Sequence, residues 1–243
     1  MKKPKKSKPV IIFDGDDTLW YTQVYYDRAR SSFLNRLHAL GFDRRITNAE
    51  FSRLDIKNVR RFGFAPDRFG RSMLDTYRML CRRNGIKPAL SMERTLLRIG
   101  ERPFSHKPTL RPGARTVMRL LSGSYRLVLF TAGNPDIQNI KIDRLHLRAI
   151  FEKIFIVPMK TPHQLRSLLH AIHARPENVL LVGNSVRSDI VPATAIGVRA
   201  ILLNSSSWAF DNSVSRPGGI TSIGSLIQLP ALVSRHWATS RSK

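Results

Sequence analysis

Short, mostly apolar runs separated by helix-length segments restrict the fold of this chain more than any other feature. Past Pro108 the two patterns alternate. Segments 112–121, 135–147, 161–173 and 188–196 read as helices, and 126–130, Lys153–Val157, 178–182 and 198–203 read as strands. Runs that are apolar throughout, rather than at every second position, belong to strands buried on both faces. Strand and helix alternating at this spacing predict right-handed βαβ units on a parallel sheet. Val10–Phe13 is one more run of this kind, far upstream, and is expected to join the same sheet.

The stretch between is helical in pattern. Val24, Tyr25, Ala29, Phe33, Leu34, Leu37 and Leu40 form a stripe that ends before Gly41. Thr47 or Asn48 could cap a second helix through Phe51 and Leu54 toward Val59. A third follows Pro66-Asp67, with Phe69, Met73, Leu74, Tyr77, Leu80 and Cys81 on one side and Gly85 at its end. A shorter fourth opens at Ser91 and runs through Leu96 and Leu97. The fold class expected is therefore α/β, a Rossmann-like doubly wound parallel sheet with an all-helical cap inserted after the first strand. The expected division is a basic, disordered tail at 1–9, a core at 10–19 and 106–243, and the helical block at 20–105.

Composition narrows the setting. No apolar run approaches the roughly 20 residues that span a bilayer, so no membrane partner is expected. The lysine-rich start imitates a signal peptide, but the apolar stretch after it stops at Asp14, which argues against secretion. Cys81 is the only cysteine and excludes an internal disulfide. A cytoplasmic protein is expected. The net charge of +24 over 243 residues is largely arginine spread along the chain. It reads either as a polyanion-binding surface, making nucleic acid a possible partner, or as a solvated arginine-rich exterior. No nucleic-acid-binding motif accompanies it.

In sheets of this type, ligands bind beyond the carboxyl ends of the strands. The first strand delivers Asp14 and Asp16, one residue apart, followed by Thr18. Unpaired carboxylates held together are costly to desolvate, and a cation is the simplest way to hold them. The second strand delivers Thr131-Ala132-Gly133-Asn134, a hydroxyl followed by small residues that let backbone amides approach an anion. Lys160 follows the third strand, and Gly183-Asn184-Ser185, then Asp189, follow the fourth. Each has a plain structural reading alone: a solvated turn, a strand end, a loop lysine, an acid at a helix start. Their coincidence at one sheet edge favours chemistry.

In that order the residues resemble the four motifs of the haloacid dehalogenase superfamily, in its phosphatase branch with a helical cap. The motifs are a strand followed by DxDx[TV], a strand-end Ser/Thr, a Lys, and an acidic GDxxxD-like segment. They correspond here to Asp14–Thr18, Thr131, Lys160 and 183–189, and the likeness covers nearly the whole chain. The resemblance implies a phosphatase for a small phosphorylated metabolite, with Asp14 attacking phosphorus to form an aspartyl phosphate. Asp16 would protonate the leaving alcohol, and a neighbouring carboxylate should favour its protonated form. Thr131 with the Ala132 and Gly133 amides, together with Lys160, would hold the phosphate. Mg2+ would sit on Asp14, Asp16 (through its carbonyl), Asn184 and Asp189. An acid at position 16 favours phosphoryl transfer over dehalogenation.

One departure stands out. Asn184 occupies a position where the family usually has a metal-binding Asp, so weaker metal affinity is expected. Arg187 either pairs with Asp189 or faces solvent. The seven histidines lack ligand spacing. Trp208 either lines the pocket mouth or packs on the core. Tyr21, Tyr25, Tyr26, Arg28 and Arg30 are the cap residues nearest the first motif. Two further readings are a phosphatase for nucleic-acid ends, from the charge, and a catalytically weak anion- or RNA-binding fold, from Asn184.

Overall fold

The computed structural model describes residues 8–205, 208 and 214–239. Most of the basic tail thus lies outside the described residues. Six parallel strands form one sheet in the order β3-β2-β1-β4-β5-β6. They are β1 Val10–Phe13, β2 Arg126–Ala132, β3 Lys153–Val157, β4 Val179–Gly183, β5 Arg199–Leu203 and β6 Thr221–Ile223. β1 lies at the centre, where the strand order reverses. Its Phe13 pairs in register with Leu129 on one side and Val182 on the other.

Side-chain parity explains why β1 and the centres of its neighbours β2 and β4 are apolar at successive positions. Ile11, Phe13, Leu127, Leu129, Leu180 and Val182 face one core cluster. Val10, Ile12, Val128, Phe130, Val179 and Leu181 face the other. Helices α5 Ala114–Ser122 and α9 Leu229–Thr239 supply the first layer, and α7 Pro162–Ala171 the second. Helix α6 Pro135–Arg144 starts at Asn134, whose side chain accepts from the Asp136 and Ile137 amides.

Between β1 and β2 stand α1 Gln23–His38, α2 Arg44–Phe62, α3 Arg68–Arg83 and α4 Leu90–Ser105, around their own core of Phe33, Leu37, Phe51, Phe69, Met73 and Leu96. The chain enters and leaves this block side by side. Tyr21 N–H donates to the Thr109 carbonyl at 3.0 Å, and Arg111 N–H to the Leu19 carbonyl at 2.8 Å.

Three expectations are corrected. Helix α2 is capped by Asp43, whose carboxylate accepts from the Ile46 amide at 2.7 Å; Thr47 lies inside the helix with its hydroxyl bonded back to the Asp43 carbonyl. Helix α4 runs on through Gly100 and Pro103 because Gly100 abuts Gly70 of α3, and this close approach rewards continued helix. The helix expected at 188–196 is a π-helical turn, Val186–Ile190, running into α8 Val191–Thr194. Strand β6 and helix α9 extend the core beyond the alternation read from the sequence. No helix among the described residues is long and apolar enough to cross a membrane.

Candidate functional site

β1 ends at Phe13, and Asp14 continues the ladder by donating its N–H to the Val182 carbonyl at 2.9 Å. This leaves the Asp14 side chain buried at the sheet edge. Lys160, in the loop before α7, donates to Asp14 Oδ1 and, at 2.5 Å, to Asp189 Oδ1. Its ammonium lies 5.5 Å from the centre of the Phe130 ring. Burial pulls this ammonium's pKa down, and the two carboxylates reverse that and hold it above its usual range. Burial pushes Asp14 up to about 7, against the pull of Lys160 and with a push from Asp189.

The π-helical turn places Asp189. Ser185 accepts from the Ser188 amide at 2.9 Å and gives its own N–H to Asp189 Oδ2 at 3.0 Å. Gly183 has to be glycine here, because a Cβ would fall inside the Asp189 carboxyl group. Asn184 Oδ1 accepts from the Thr18 hydroxyl at 3.2 Å. Asp14 Oδ2, in contrast, is buried without a hydrogen-bond partner. An orphaned carboxylate oxygen beside amide and carboxylate oxygens is a demand that a hard divalent cation satisfies. No three His, Cys, Asp or Glu among the described residues form a ligand cluster by themselves. Asn184 and backbone carbonyl oxygen would have to complete the shell.

Asp16 stands beside Asp14 in a different setting. Its Oδ1 accepts from Trp20 Nε1 (2.6 Å), the Thr22 hydroxyl (2.5 Å) and Lys141 Nζ (2.6 Å), and its Oδ2 from Gln138 Nε2 (2.8 Å). Burial raises this carboxyl's pKa, but Lys141 and the hydrogen bonds outweigh it and hold Asp16 below the usual range. The expectation that a neighbouring carboxylate keeps Asp16 protonated is therefore corrected, because the Lys141 ammonium at 2.6 Å favours its ionised form. Gly15 makes this arrangement possible, since a Cβ there would collide with the Trp20 ring.

Thr131 is fully buried, and its hydroxyl accepts from Gln138 Nε2 at 2.6 Å. Ala132 and Gly133 line the cavity. The Gly133 amide, however, donates to the Val157 carbonyl at 2.9 Å. It is spent on closing the sheet, which removes it from the amides expected to hold phosphate.

The cavity above these groups is about 180 Å3 and is bounded by core and helical block together. The block contributes Tyr26, Arg30, Phe51, Asp55, Phe64 and Arg68. Arg68 and Asp55 form a buried ion pair, and Arg30 is held by Asn48 at 2.8 Å and Ser52 at 2.5 Å. Trp208 lines the cavity against Arg68 and Phe64. Of the five cap candidates, Tyr26 and Arg30 reach the cavity. Tyr21 and Tyr25 line a separate cleft of about 50 Å3, and Arg28 packs over Tyr25.

Sequence reasoning missed Gln138, Lys141 and Asp17. The first two are three apart on α6, and Gln138 is a buried polar residue four positions before buried Ile142, a signal readable as a polar break in an apolar face. Asp17 has φ +58° and accepts from the Thr22 and Gln23 amides, fixing the start of α1.

Comparison with known proteins finds the same family pattern and the same fold. Residues 8–197 match the family model described as haloacid dehalogenase-like hydrolase. A glyceraldehyde 3-phosphate phosphatase of Pyrococcus furiosus is 35% identical over 40% of this chain, a match that spans 43% of that protein's length. One from Methanothermobacter thermautotrophicus is 28% identical over 80% of this chain and 85% of its own. A haloacid dehalogenase-like hydrolase from Xanthomonas campestris shares the fold with a TM-score of 0.82 at 23% identity, covering 100% of this chain and 98% of that one. With motif order, sheet topology and family match in agreement, this chain belongs to the haloacid dehalogenase-like hydrolases.

Proposed function

We propose that the protein is a magnesium-dependent phosphatase that cleaves a small phosphomonoester through an aspartyl phosphate. The observation that carries this reading is the buried Asp14–Lys160–Asp189 bridge with Asp14 Oδ2 left unpartnered beside it. Lys160 thereby fixes the carboxylate of Asp14 at the sheet edge, facing the cavity. Relatives named as glyceraldehyde 3-phosphate phosphatases support a short phosphorylated substrate. So does a cavity of about 180 Å3 walled on one side by the helical block, which suits a metabolite better than a nucleic-acid end.

In the first step Asp14 forms a bond to phosphorus as the bond to the leaving oxygen breaks, and Asp16 gives that oxygen a proton. Asp16 takes this proton up when the ester's negative charge enters beside it, since a nearby anion raises a carboxyl's pKa. In the second step water attacks the aspartyl phosphate, Asp16 accepts the proton, and Asp14 is regenerated with release of inorganic phosphate. Lys160 stabilises charge on Asp14 and on the transferring group, and the Thr131 hydroxyl orients a phosphate oxygen. Asp14, the Asp16 carbonyl, Asn184 and Asp189 would hold Mg2+, which when bound lowers the repulsion between a carboxylate nucleophile and an anionic ester.

The test is phosphate release by purified protein from p-nitrophenyl phosphate and from a panel of phosphorylated three- to six-carbon metabolites, with magnesium or with EDTA. Turnover that needs magnesium and vanishes in Asp14→Asn supports the reading. Turnover unchanged by Asp14→Asn overturns it.

A further inference from the structure

Asp16 is held on every side, but only one of its partners carries a full charge. Trp20, Thr22 and Gln138 supply dipoles, whereas Lys141 supplies an ammonium at 2.6 Å from Oδ1. Lys141 and Gln138 lie one helical turn apart on α6, whose start is fixed by the Asn134 cap. Gln138 also donates to the Thr131 hydroxyl at 2.6 Å and the Ala132 carbonyl at 3.1 Å. Helix α6 thereby ties the proton-carrying carboxyl to the hydroxyl assigned to the phosphate. Lys141 lines the cavity and has no second carboxylate partner among the described residues.

We propose that Lys141 is a positioning residue for proton transfer to the leaving group. This rests on the phosphatase reading of the site. As the phosphorus–oxygen bond breaks, its electron pair goes to the leaving oxygen, which takes the proton from Asp16. Asp16 becomes a carboxylate as the alcohol departs and the bond from Asp14 to phosphorus completes. The negative charge on Asp16 is absent when the acid is loaded and grows through the transition state. An ammonium already in place beside it attracts that charge most strongly when the proton is in flight. The contribution of Lys141 must therefore depend on how much the leaving group needs a proton.

A series of aryl phosphates of graded leaving-group acidity, from phenyl through 4-nitrophenyl to 2,4-dinitrophenyl phosphate, reads this directly. Lys141→Met is expected to lose about 100-fold in kcat, which starts from the bound ester with Asp16 protonated, on phenyl phosphate, within the range of general-acid effects, and at least ten times less on the dinitrophenyl ester. Asp16→Asn should show the same leaving-group dependence, the double variant should be no steeper, and Lys141→Arg should recover most of the loss. An equal loss on every ester, with an unchanged melting temperature, overturns the assignment to Lys141 alone. Failure of the unaltered protein to hydrolyse any ester overturns the phosphatase reading and takes this assignment with it.

Discussion

Lys160 and Asp14, 146 positions apart in sequence, form an ion pair buried at the carboxyl end of the central strand. The same ammonium reaches Asp189, so one cation bridges two buried carboxylates that would otherwise be uncompensated.

Removing that cation is the first prediction. Lys160→Met leaves two buried carboxylates uncompensated and is expected to destabilise the fold by about 3–5 kcal/mol as well as to abolish phosphate release. Urea unfolding measures the first effect. Added magnesium should raise the melting temperature of the variant more than that of the unaltered protein, because the ion then replaces the missing charge.

Burial raises Asp17 to about 6 from its ordinary 3.8, against the pull of the Thr22 and Gln23 amides. A folded-state value above the unfolded one means that folding takes up a proton between these values. The stabilisation is complete below the unfolded value and is lost as pH rises through about 6. The loss is at most about 3 kcal/mol. Asp17→Asn cannot ionise, and urea titrations in EDTA from pH 4 to 8 should show a flatter profile across that window.

The α3–α4 contact depends on a glycine pair. A Cβ on Gly100 would collide with the Gly70 backbone, whereas a Cβ on Gly70 would meet Leu97 at ordinary contact distance. Gly100→Ala should cost about 1–3 kcal/mol by forcing the helices apart. Gly70→Ala should be tolerated, with up to about 1 kcal/mol of helix propensity returned. Denaturant midpoints of the two variants decide between these outcomes.

Arg68 and Asp55 form a cavity wall that is costly to break from one side. Arg68→Met strands a buried carboxylate whose pKa burial already raises, and should destabilise by about 3–5 kcal/mol. Arg68→Met combined with Asp55→Leu should recover most of that stability, which thermal melts would reveal.

Much of this was legible before any coordinates. The apolar runs at 10–13, 126–130 and 178–182 announce strands because their centres are buried, whereas 153–157, on the edge strand, is only partly covered. Asp14, Asp16, Thr131, Lys160 and Asp189 were open to nomination because each stands at or shortly past the carboxyl end of a strand. Helix starts were less legible: Asp43 outcompetes Thr47 and Asn48 as a cap, since local hydrogen bonding is decided by backbone conformation as well as residue type. Gln138 and Lys141 were missed because their partner is Asp16, across the site from α6 and remote in sequence.

What the chain dictated locally was the parallel α/β core, the helical insertion and the acids at strand ends, all products of periodicity and of chemistry at short range. Only the packed molecule decided that Gly133 spends its amide on the sheet, that Asp16 faces an ammonium, and that Tyr26, Arg30, Arg68 and Trp208 close over the site. Those outcomes depend on distances between residues separated by tens to hundreds of positions. Burial and charge at such distances are properties of the assembled fold, not of any stretch of it.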